Sequence, residues 1–205
     1  PAHLHREMIQ RFGELEKLVP YIDMPVQHGS DALLKSMRRG LNSSGIRKRI
    51  DGLRDKCPQI SIRTSIIVGF PGETEKEFQE LYNFVKEVEF DRLGVFTYSE
   101  EEGTHGASLK DDVPSEVKTD RMDAIMLLQQ DINYHKNQQL IGMEEKVIID
   151  CIGEKGDSIG RSYRDAPEVD NYIRIEEKLP IGEFVDVEIT DASEYELIAR
   201  RKRYE

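Results

Sequence analysis

Short apolar runs alternate with amphipathic segments along the first two thirds of the sequence, and this alternation constrains the fold more than any other feature. It predicts strands over residues 21–26, 60–68 and 93–98, and helices over residues 31–39, 44–56 and 74–89. Strands that alternate with helices form parallel βα units. Three such units are too few to close a barrel, so we predict an α/β fold with a half-built parallel sheet.

The pattern changes in the last third of the chain. A helical pattern over residues 115–140 carries apolar residues at helical spacing, namely Val117, Met122, Ile125, Leu128 and Ile132. After Gly142, five short segments rich in β-branched and aromatic residues are separated by Gly, Pro and Asp, which indicates a small antiparallel barrel. We therefore divide the chain into domains of residues 1–141 and 142–205.

The distribution of charge restricts the partners of the chain. The net charge is −11, of which −7 falls within residues 142–205, where 17 acidic residues stand against 10 basic ones. An acidic surface attracts basic partners and repels nucleic acid. No apolar run approaches the roughly 20 residues of a membrane span, and the polar first residues do not resemble a signal peptide. We expect a cytoplasmic protein that does not bind membranes and for which nucleic acid is the less favoured partner.

The two cysteines do not form a ligand set. Cys57 and Cys151 stand far apart, with no second thiol near either. A metal or cluster site needs several ligands that converge. The sequence therefore predicts no metal site within this chain, and we interpret both cysteines as reduced, buried thiols.

Three predicted strands end in residues suited to a ligand, and parallel α/β folds bind ligands at the carboxyl ends of their strands. In "PVQHGS", Gln27 and Ser30 offer hydrogen-bonding groups, although a plain turn that caps the next helix is an alternative. We expect His28 to be a partly exposed loop histidine. Around Tyr98, a solvated acidic loop over residues 100–102 explains the third strand end equally well.

The second strand runs into "SIIVGFPGET", a glycine-rich turn followed by a helix. The Lys-Ser/Thr pair of a phosphate-binding loop is missing. Phe70, with the Pro-Gly that follows, instead presents a flat apolar surface beside backbone amides, which suits an adenine ring. Arg63 and Ser65 are predicted to point to one side of the strand, with a structural ion pair as the alternative for the arginine. Thr74 and Glu77 predict a helix capping box.

Four segments together resemble the radical S-adenosylmethionine methylthiotransferases. They are "PVQHGSD", "RTSIIVGFPGETEKEF", "FDRLGVFTYSEEEGT" and "GRSYRDAPEVDNY". The likeness runs from about residue 19 to residue 205. "IVGFPGET" and "YS…GT" are shared by the whole family, whereas "PVQHGS" and "DAPEVD" favour the members that modify an aspartate of the twelfth small-subunit ribosomal protein.

The resemblance implies a fold and a cofactor. The fold is the second half of a TIM-like radical SAM barrel of parallel βα units, followed by a small all-β, OB-like antiparallel barrel, the TRAM domain. The cofactor is S-adenosylmethionine, and Ser65 stands at its site where related enzymes often carry Asp. The remaining implied cofactor contacts are Gln27, Ser30 and Arg63 for the ribose or methionine moiety and Val68, Gly69 and Phe70 for the adenine.

The resemblance also implies an activity. Members of the family transfer a methylthio group, here to the β-carbon of an aspartate, and they use two [4Fe–4S] clusters. The motif C-x-x-x-C-x-x-C that binds the first cluster is absent from this sequence, so we expect the 205 residues alone to be inactive. A basic ribosomal protein is the expected substrate partner, and the implied substrate contacts are Tyr98, Asp165, Glu168 and Asp170. We expect the turn at Pro167 to hold the three acids on an exposed loop that a basic peptide can reach.

Two alternatives stay open at this point. A tRNA adenosine methylthiotransferase would use the same chemistry, with the basic run over residues 200–203 in contact with phosphates. A solvated chain end is the competing interpretation of this basic run. A non-catalytic RNA- or protein-binding module would use the half barrel only as a scaffold.

Overall fold

Alternating βα segments form the first of two units into which the chain divides after Gln129. The structure, a computed structural model, describes residues 4–203. Within these residues, no helix combines the length and apolar character that crossing a membrane requires. The elements of the first unit are α1 (Arg6–Arg11), β1 (Tyr21–Asp23), α2 (Asp31–Ser36), α3 (Ser43–Lys56), β2 (Ser61–Val68), α4 (Glu75–Val88), β3 (Arg92–Thr97), a 3₁₀ turn (Gly106–Ser108) and the start of α5 (Ser115–Gln138).

The three strands of this unit form one parallel sheet in the order β1-β2-β3, which confirms the predicted βα units. In the register of this sheet, Ser65 of β2 stands beside Gly94 of β3. The even-numbered residues 62–68 of β2 are fully buried, whereas Arg63, Ser65 and Ile67 are only half-buried. One face of β2 therefore belongs to the core, and the other face is partly open.

Helix α4 begins where its sequence signal predicts. The Thr74 hydroxyl accepts a hydrogen bond from the backbone N–H of Lys76, and the Glu77 carboxylate accepts one from the backbone N–H of Thr74 at 3.2 Å. A further hydrogen bond from the Thr74 side chain lowers the pKa of the Glu77 carboxyl group. The buried face of α4 repeats at helical spacing and consists of Phe78, Leu81, Phe84, Val85 and Val88.

Helix α5 does not bury the simple apolar stripe that its sequence predicts. Ile125 and Ile132 are buried, but the other three predicted positions are only half-buried. Several buried positions of α5 are polar, namely Lys118, Arg121, Gln129, Asn133 and Asn137. Buried polar groups require hydrogen-bonding partners, so this face of the helix has partners that apolar periodicity alone does not reveal.

The second unit contains a closed five-stranded barrel in the order β4-β5-β6-β8-β7. The boundary predicted between residues 141 and 142 lies between α5 and β4. Inward-facing residues form one apolar core, in which Val147, Ile173 and Val187 are fully buried. The strands are β4 (Glu144–Ile152), β5 (Ser158–Arg161), β6 (Tyr172–Ile175), β7 (Phe184–Ala192) and β8 (Glu196–Arg201).

The barrel is antiparallel except for one pair of strands. β6 and β8 run parallel, with Ile173 beside Leu197. Strand direction can alternate around a closed ring only when the number of strands is even, and this ring has five strands. The barrel therefore differs from a wholly antiparallel one because closure itself requires a parallel pair.

We predict that the barrel core depends on Ile173 and not on Ile181, which is 63% exposed. Ile173→Ala should lower the free energy of unfolding of the barrel by about 2–5 kcal/mol, because it removes buried methyl groups and leaves a cavity. Urea denaturation followed by circular dichroism measures the loss. Ile181→Ala is the matched control and should lower it by less than about 0.5 kcal/mol. Equal losses in the two variants would contradict this core.

Candidate functional site

A cleft of about 550 Å³ opens where the three parallel strands end. Four of the residues predicted for the site line this cleft, namely Gln27, Ser65, Phe70 and Tyr98. They come together because the carboxyl ends of parallel strands meet at one edge of the sheet.

Part of the cleft lining was not predicted from the sequence. Ile67 and Phe96 line it beside the predicted residues, and they are opposite each other in the register of β2 and β3. Strand alternation contains this signal, because Ile67 follows Ser65 by two positions and so lies on the same face. Met37 and Arg39, which follow α2, also line the cleft, and no sequence pattern pointed to them.

An aromatic pair forms one wall of the cleft. The Phe70 and Tyr98 rings meet edge to face, with centroids 5.1 Å apart and planes at 71°. Gly106 leaves room for this pair, because a Cβ atom at this position would lie 2.9 Å from the Tyr98 hydroxyl oxygen. Only 6% of Phe70 is exposed, so the ring is fixed by packing. This rigid, apolar wall offers a packing surface of the kind that suits a planar heterocycle.

The glycine-rich turn before α4 depends on the conformational freedom of two glycines. Gly69 and Gly72 have φ angles of 72° and 83°, which side-chain-bearing residues rarely adopt. The Lys118 side chain packs directly on Gly69, where a Cβ atom would lie 2.2 Å from the lysine Cγ. The backbone N–H of Gly72 donates to Asp112 Oδ1 at 2.8 Å. Contacts with α5 and with the loop that precedes α5 therefore stabilise the turn.

A buried carboxylate, that of Glu73, connects this turn to two other segments. Its Oε2 atom accepts hydrogen bonds from the backbone N–H of Gly69 at 3.0 Å and from His28 Nε2 at 3.1 Å. Its Oε1 atom pairs with Arg121 Nη1 of α5 at 2.9 Å. The Glu73 and His28 side chains have no exposed surface, and that of Arg121 is 8% exposed. A buried charge needs such partners, because the desolvation it suffers is otherwise uncompensated.

His28 is fully buried, so the expectation of a partly exposed loop histidine was wrong. Its Nδ1 atom accepts the backbone N–H of Ser30 at 3.0 Å. Nδ1 is thereby the acceptor, and Nε2 carries the proton that is donated to Glu73. The sequence hides this role because His28 and Glu73 are 45 residues apart.

Gln27 adopts an uncommon backbone conformation at the edge of the cleft. Its φ angle is 74°, in the left-handed region that non-glycine residues seldom occupy. Its N–H donates to the Ser65 carbonyl oxygen at 2.9 Å, and its own carbonyl oxygen accepts the Ile67 N–H at 2.8 Å. These two bonds extend the parallel pairing beyond β1 and place Gln27 in the cleft lining.

The other predicted cofactor residues lie outside the cleft lining. Ser30 and Val68 are fully buried, and Gly69 lies under Lys118. Arg63 forms an ion pair with Asp23 at 3.0 Å, which is the structural alternative that the sequence left open. Direct cofactor contacts by these four residues stay predictions.

Tyr98 combines a place in the cleft lining with a phenol of reduced acidity. Burial raises its pKa, and the nearby carboxylates of Glu100 and Asp111 raise it further. The ammonium group of Lys118 donates to the Tyr98 carbonyl oxygen at 3.3 Å and to Asp111 at 2.6 Å. The phenol therefore stays protonated at neutral pH and can act as a hydrogen-bond donor.

The acidic loop of the barrel is less exposed than predicted. Asp165 was expected on an exposed loop but is only 6% exposed, and its Oδ2 atom accepts a 3.4 Å contact from Ser162 Oγ. Asp170 is half-buried and accepts the backbone N–H of Ala166 at 2.8 Å, which closes the turn. Glu168, with a φ angle of 67°, is exposed. Of the three predicted acids, Glu168 is the one open to a partner.

The basic run at the end of β8 is matched by acids of the barrel. Arg200 binds both carboxylate oxygens of Glu188 at 3.0 Å, and Lys202 pairs with Glu144. Arg201 and Arg203 approach Glu177 at 3.6 and 4.0 Å. The run is therefore part of a mixed-charge surface and not an uncompensated basic patch of the kind that binds phosphates.

The described residues do not fit an iron–sulfur cluster. Between residues 4 and 203, no group of three or more His, Cys, Asp or Glu side chains is placed to hold a metal ion. Cys57 is buried in the first unit, whereas Cys151 of β4 is exposed, contrary to the prediction that both are buried. The cleft, with its aromatic wall and polar groups, does fit a nucleoside.

We predict that the Glu73 carboxylate is a main determinant of stability in the first unit. Glu73→Gln should lower the free energy of unfolding by about 3–5 kcal/mol, because Arg121 would be left as a buried charge without its partner. Chemical denaturation measures this. Glu75→Gln is the matched control, because this carboxylate lies 3.7 Å from the same arginine but is 80% exposed. A Glu73→Gln variant as stable as the control would refute the prediction.

Two family models match the chain. The model of the Radical SAM superfamily matches residues 1–85, and that of the TRAM domain matches residues 141–201. The fold is also similar to that of coproporphyrinogen III oxidase (HemN) from Escherichia coli, a radical SAM enzyme. The TM-score is 0.54 with 23% identity, over 69% of this chain and 32% of that one.

Curated relatives share more of the sequence. Ribosomal protein uS12 methylthiotransferase RimO of Acetivibrio thermocellus is 45% identical over 97% of this chain and 44% of its own length. RimO of Aquifex aeolicus is 42% identical over 98% of this chain and 47% of its own length. The chain thus spans about half the length of these relatives. Residues 1–85 thus match the radical SAM superfamily and residues 141–201 match the TRAM domain, and nearly the whole chain is similar to the RimO methylthiotransferases.

Proposed function

We propose that this chain is the cofactor-positioning and substrate-binding part of a radical SAM methylthiotransferase that modifies ribosomal protein uS12, at the β-carbon of an aspartate. One observation carries the proposal. A nucleoside-sized cleft lies at the carboxyl edge of the parallel sheet, in a chain that is similar over 97% of its length to a protein named as a uS12 methylthiotransferase.

The residues of the cleft divide the recognition of S-adenosylmethionine between them. The Phe70 ring offers an apolar surface to the adenine, and Ile67 and Phe96 extend this surface along the sheet. Gln27 and Ser65 supply hydrogen-bonding groups for the ribose or the methionine moiety. In enzymes of this superfamily, the bound cofactor supplies the radical chemistry that removes a hydrogen atom from an unactivated carbon. The work of these side chains is to orient the cofactor and to exclude water.

The cluster chemistry of the family is not assigned to residues of this chain. Both proposed [4Fe–4S] clusters need thiolate ligands, and the described residues offer two separate cysteines. We therefore attribute no step through a cluster to these residues. The 205 residues contribute cofactor binding and substrate docking to the complete enzyme.

The charge of the barrel supports a basic protein as the substrate partner. Residues 142–205 carry a net charge of −7, and such a surface steers a basic protein toward it. A ribosomal protein in the cytoplasm is a partner of this kind. A tRNA substrate is less favoured, because each residue of the basic run is paired with an acid of the barrel.

We predict that Phe70→Leu weakens binding of S-adenosylhomocysteine, a redox-inert analogue of the cofactor, by about 1 kcal/mol, because an aromatic contact with the adenine is lost. Isothermal titration calorimetry on the chain measures the affinity. Phe90→Leu is the matched control, since this phenylalanine is fully buried and does not line the cleft. Phe90→Leu should lower stability and leave the affinity unchanged, and the same affinity in all three proteins would contradict the proposed site.

We predict that charge reversal at Glu168 weakens binding of ribosomal protein uS12 several-fold, chiefly through a slower association rate, and that added salt reduces this effect. Surface plasmon resonance gives both rates. Glu183→Lys is the control, because it changes the net charge equally at another exposed site of the barrel. Equal effects of the two variants would exclude the loop of Glu168 as the docking site. Binding of a tRNA stem-loop in preference to uS12 would overturn the substrate assignment.

A further inference from the structure

Two of the loops that line the cleft meet at one buried oxygen atom. Glu73 Oε2 accepts from His28, which directly follows Gln27, and from the backbone N–H of Gly69, which directly precedes Phe70. We propose that His28 and Glu73 are positioning residues, which hold Gln27 in its left-handed backbone conformation and so fix its side chain in the cleft. This inference rests on the proposed function of the cleft as an adenosine-cofactor site.

The conformation of Gln27 needs such support. A non-glycine residue in the left-handed region is strained, and the strain persists only where the surroundings over-determine it. Two backbone hydrogen bonds tie Gln27 to β2, through the Ser65 carbonyl oxygen and the Ile67 N–H. These bonds hold the N–H and C=O of Gln27, and a further contact holds the residue that follows.

His28 supplies that contact from both of its ring nitrogens. Nε2 is fixed to Glu73 at 3.1 Å, and Nδ1 is fixed to the N–H of Ser30 at 3.0 Å. Immediately after it, Gly29 packs against α4, where a Cβ atom would lie 2.5 Å from Phe84 Cβ. The hydrogen bonds of His28 and the packing of Gly29 therefore both constrain the path of the chain beyond Gln27.

Glu73 is itself held by α5. Arg121 Nη1 donates to Glu73 Oε1 at 2.9 Å and to the Glu73 carbonyl oxygen at 3.0 Å. Because both its backbone and its side chain are hydrogen-bonded to Arg121, Glu73 holds a fixed position between the two loops. A loss of the His28 contact should consequently release Gln27 without releasing the glycine-rich turn.

A double-mutant cycle tests the proposal. S-adenosylhomocysteine is titrated into the chain with His28→Leu, with Gln27→Gly, and with both changes. His28→Leu should weaken binding about tenfold, because the apparent dissociation constant rises as the competent conformation of Gln27 becomes less populated. Glycine adopts positive φ angles freely, so His28→Leu should add less than about twofold in the Gln27→Gly background.

Rescue and control variants separate positioning from a general loss of structure. His28→Gln, which offers an acceptor and a donor, should keep its affinity within about threefold of the original. Gln129→Leu removes another buried hydrogen bond of the first unit, from Gln129 Nε2 to the Phe90 carbonyl oxygen at 2.8 Å. It should reduce stability and leave the affinity unchanged. If His28→Leu does not fold, His28→Met takes its place in the cycle.

The outcomes distinguish this inference from the proposed function. If the original chain binds the analogue and His28→Leu binds it equally well, the positioning role is overturned and the proposed function stands. If His28→Leu causes the same loss in the original chain and in the Gln27→Gly variant, the positioning role is also overturned, because His28 would then act independently of the conformation at this position. If the original chain does not bind the analogue, both are overturned.

Discussion

The buried carboxylate of Glu73 is the interaction on which the candidate site depends. A carboxylate without exposed surface must be compensated by donors, and its donors come from three separate segments: His28, the backbone of Gly69, and Arg121 of α5. Because a partly satisfied buried network is unfavourable, these segments adopt one arrangement together. The glycine-rich turn, the loop after β1 and the first turns of α5 are thus defined by a single charged group.

This arrangement explains how an α/β unit with three strands presents a defined cleft. The partly open face of β2 supplies Ser65 and Ile67. The Glu73 network brings Gln27 and Phe70 to the carboxyl end of the same strand. The barrel differs in its surface charge. Its basic side chains are largely paired with its own acids, which leaves an excess of negative charge, with Glu168 at an exposed turn.

Periodicity predicted the fold well because burial follows it. The alternating β2 pattern and the capping box of α4 are local signals, and both appear in the structure. Four cleft residues were predicted because a ligand site must lie at the strand ends. The role of His28 was not predictable, since its partner is 45 residues away. Asp165 was expected to be exposed because a turn sequence does not show which of its carboxylates the folded barrel buries. The polar face of α5 was missed because its hydrogen-bonding partners, such as Glu73 for Arg121, are also distant in sequence.

We propose that the Phe70 turn receives an adenine ring, and locating a bound nucleoside on the chain is the sharpest test of this proposal. Nuclear Overhauser effects between the adenine protons of S-adenosylhomocysteine and the side chains of the chain provide this measurement. We expect contacts from adenine H2 and H8 to the Phe70 ring and to the Ile67 methyl groups, because both side chains line the cleft. Contacts to residues outside this cleft, with none to Phe70 or Ile67, would contradict it.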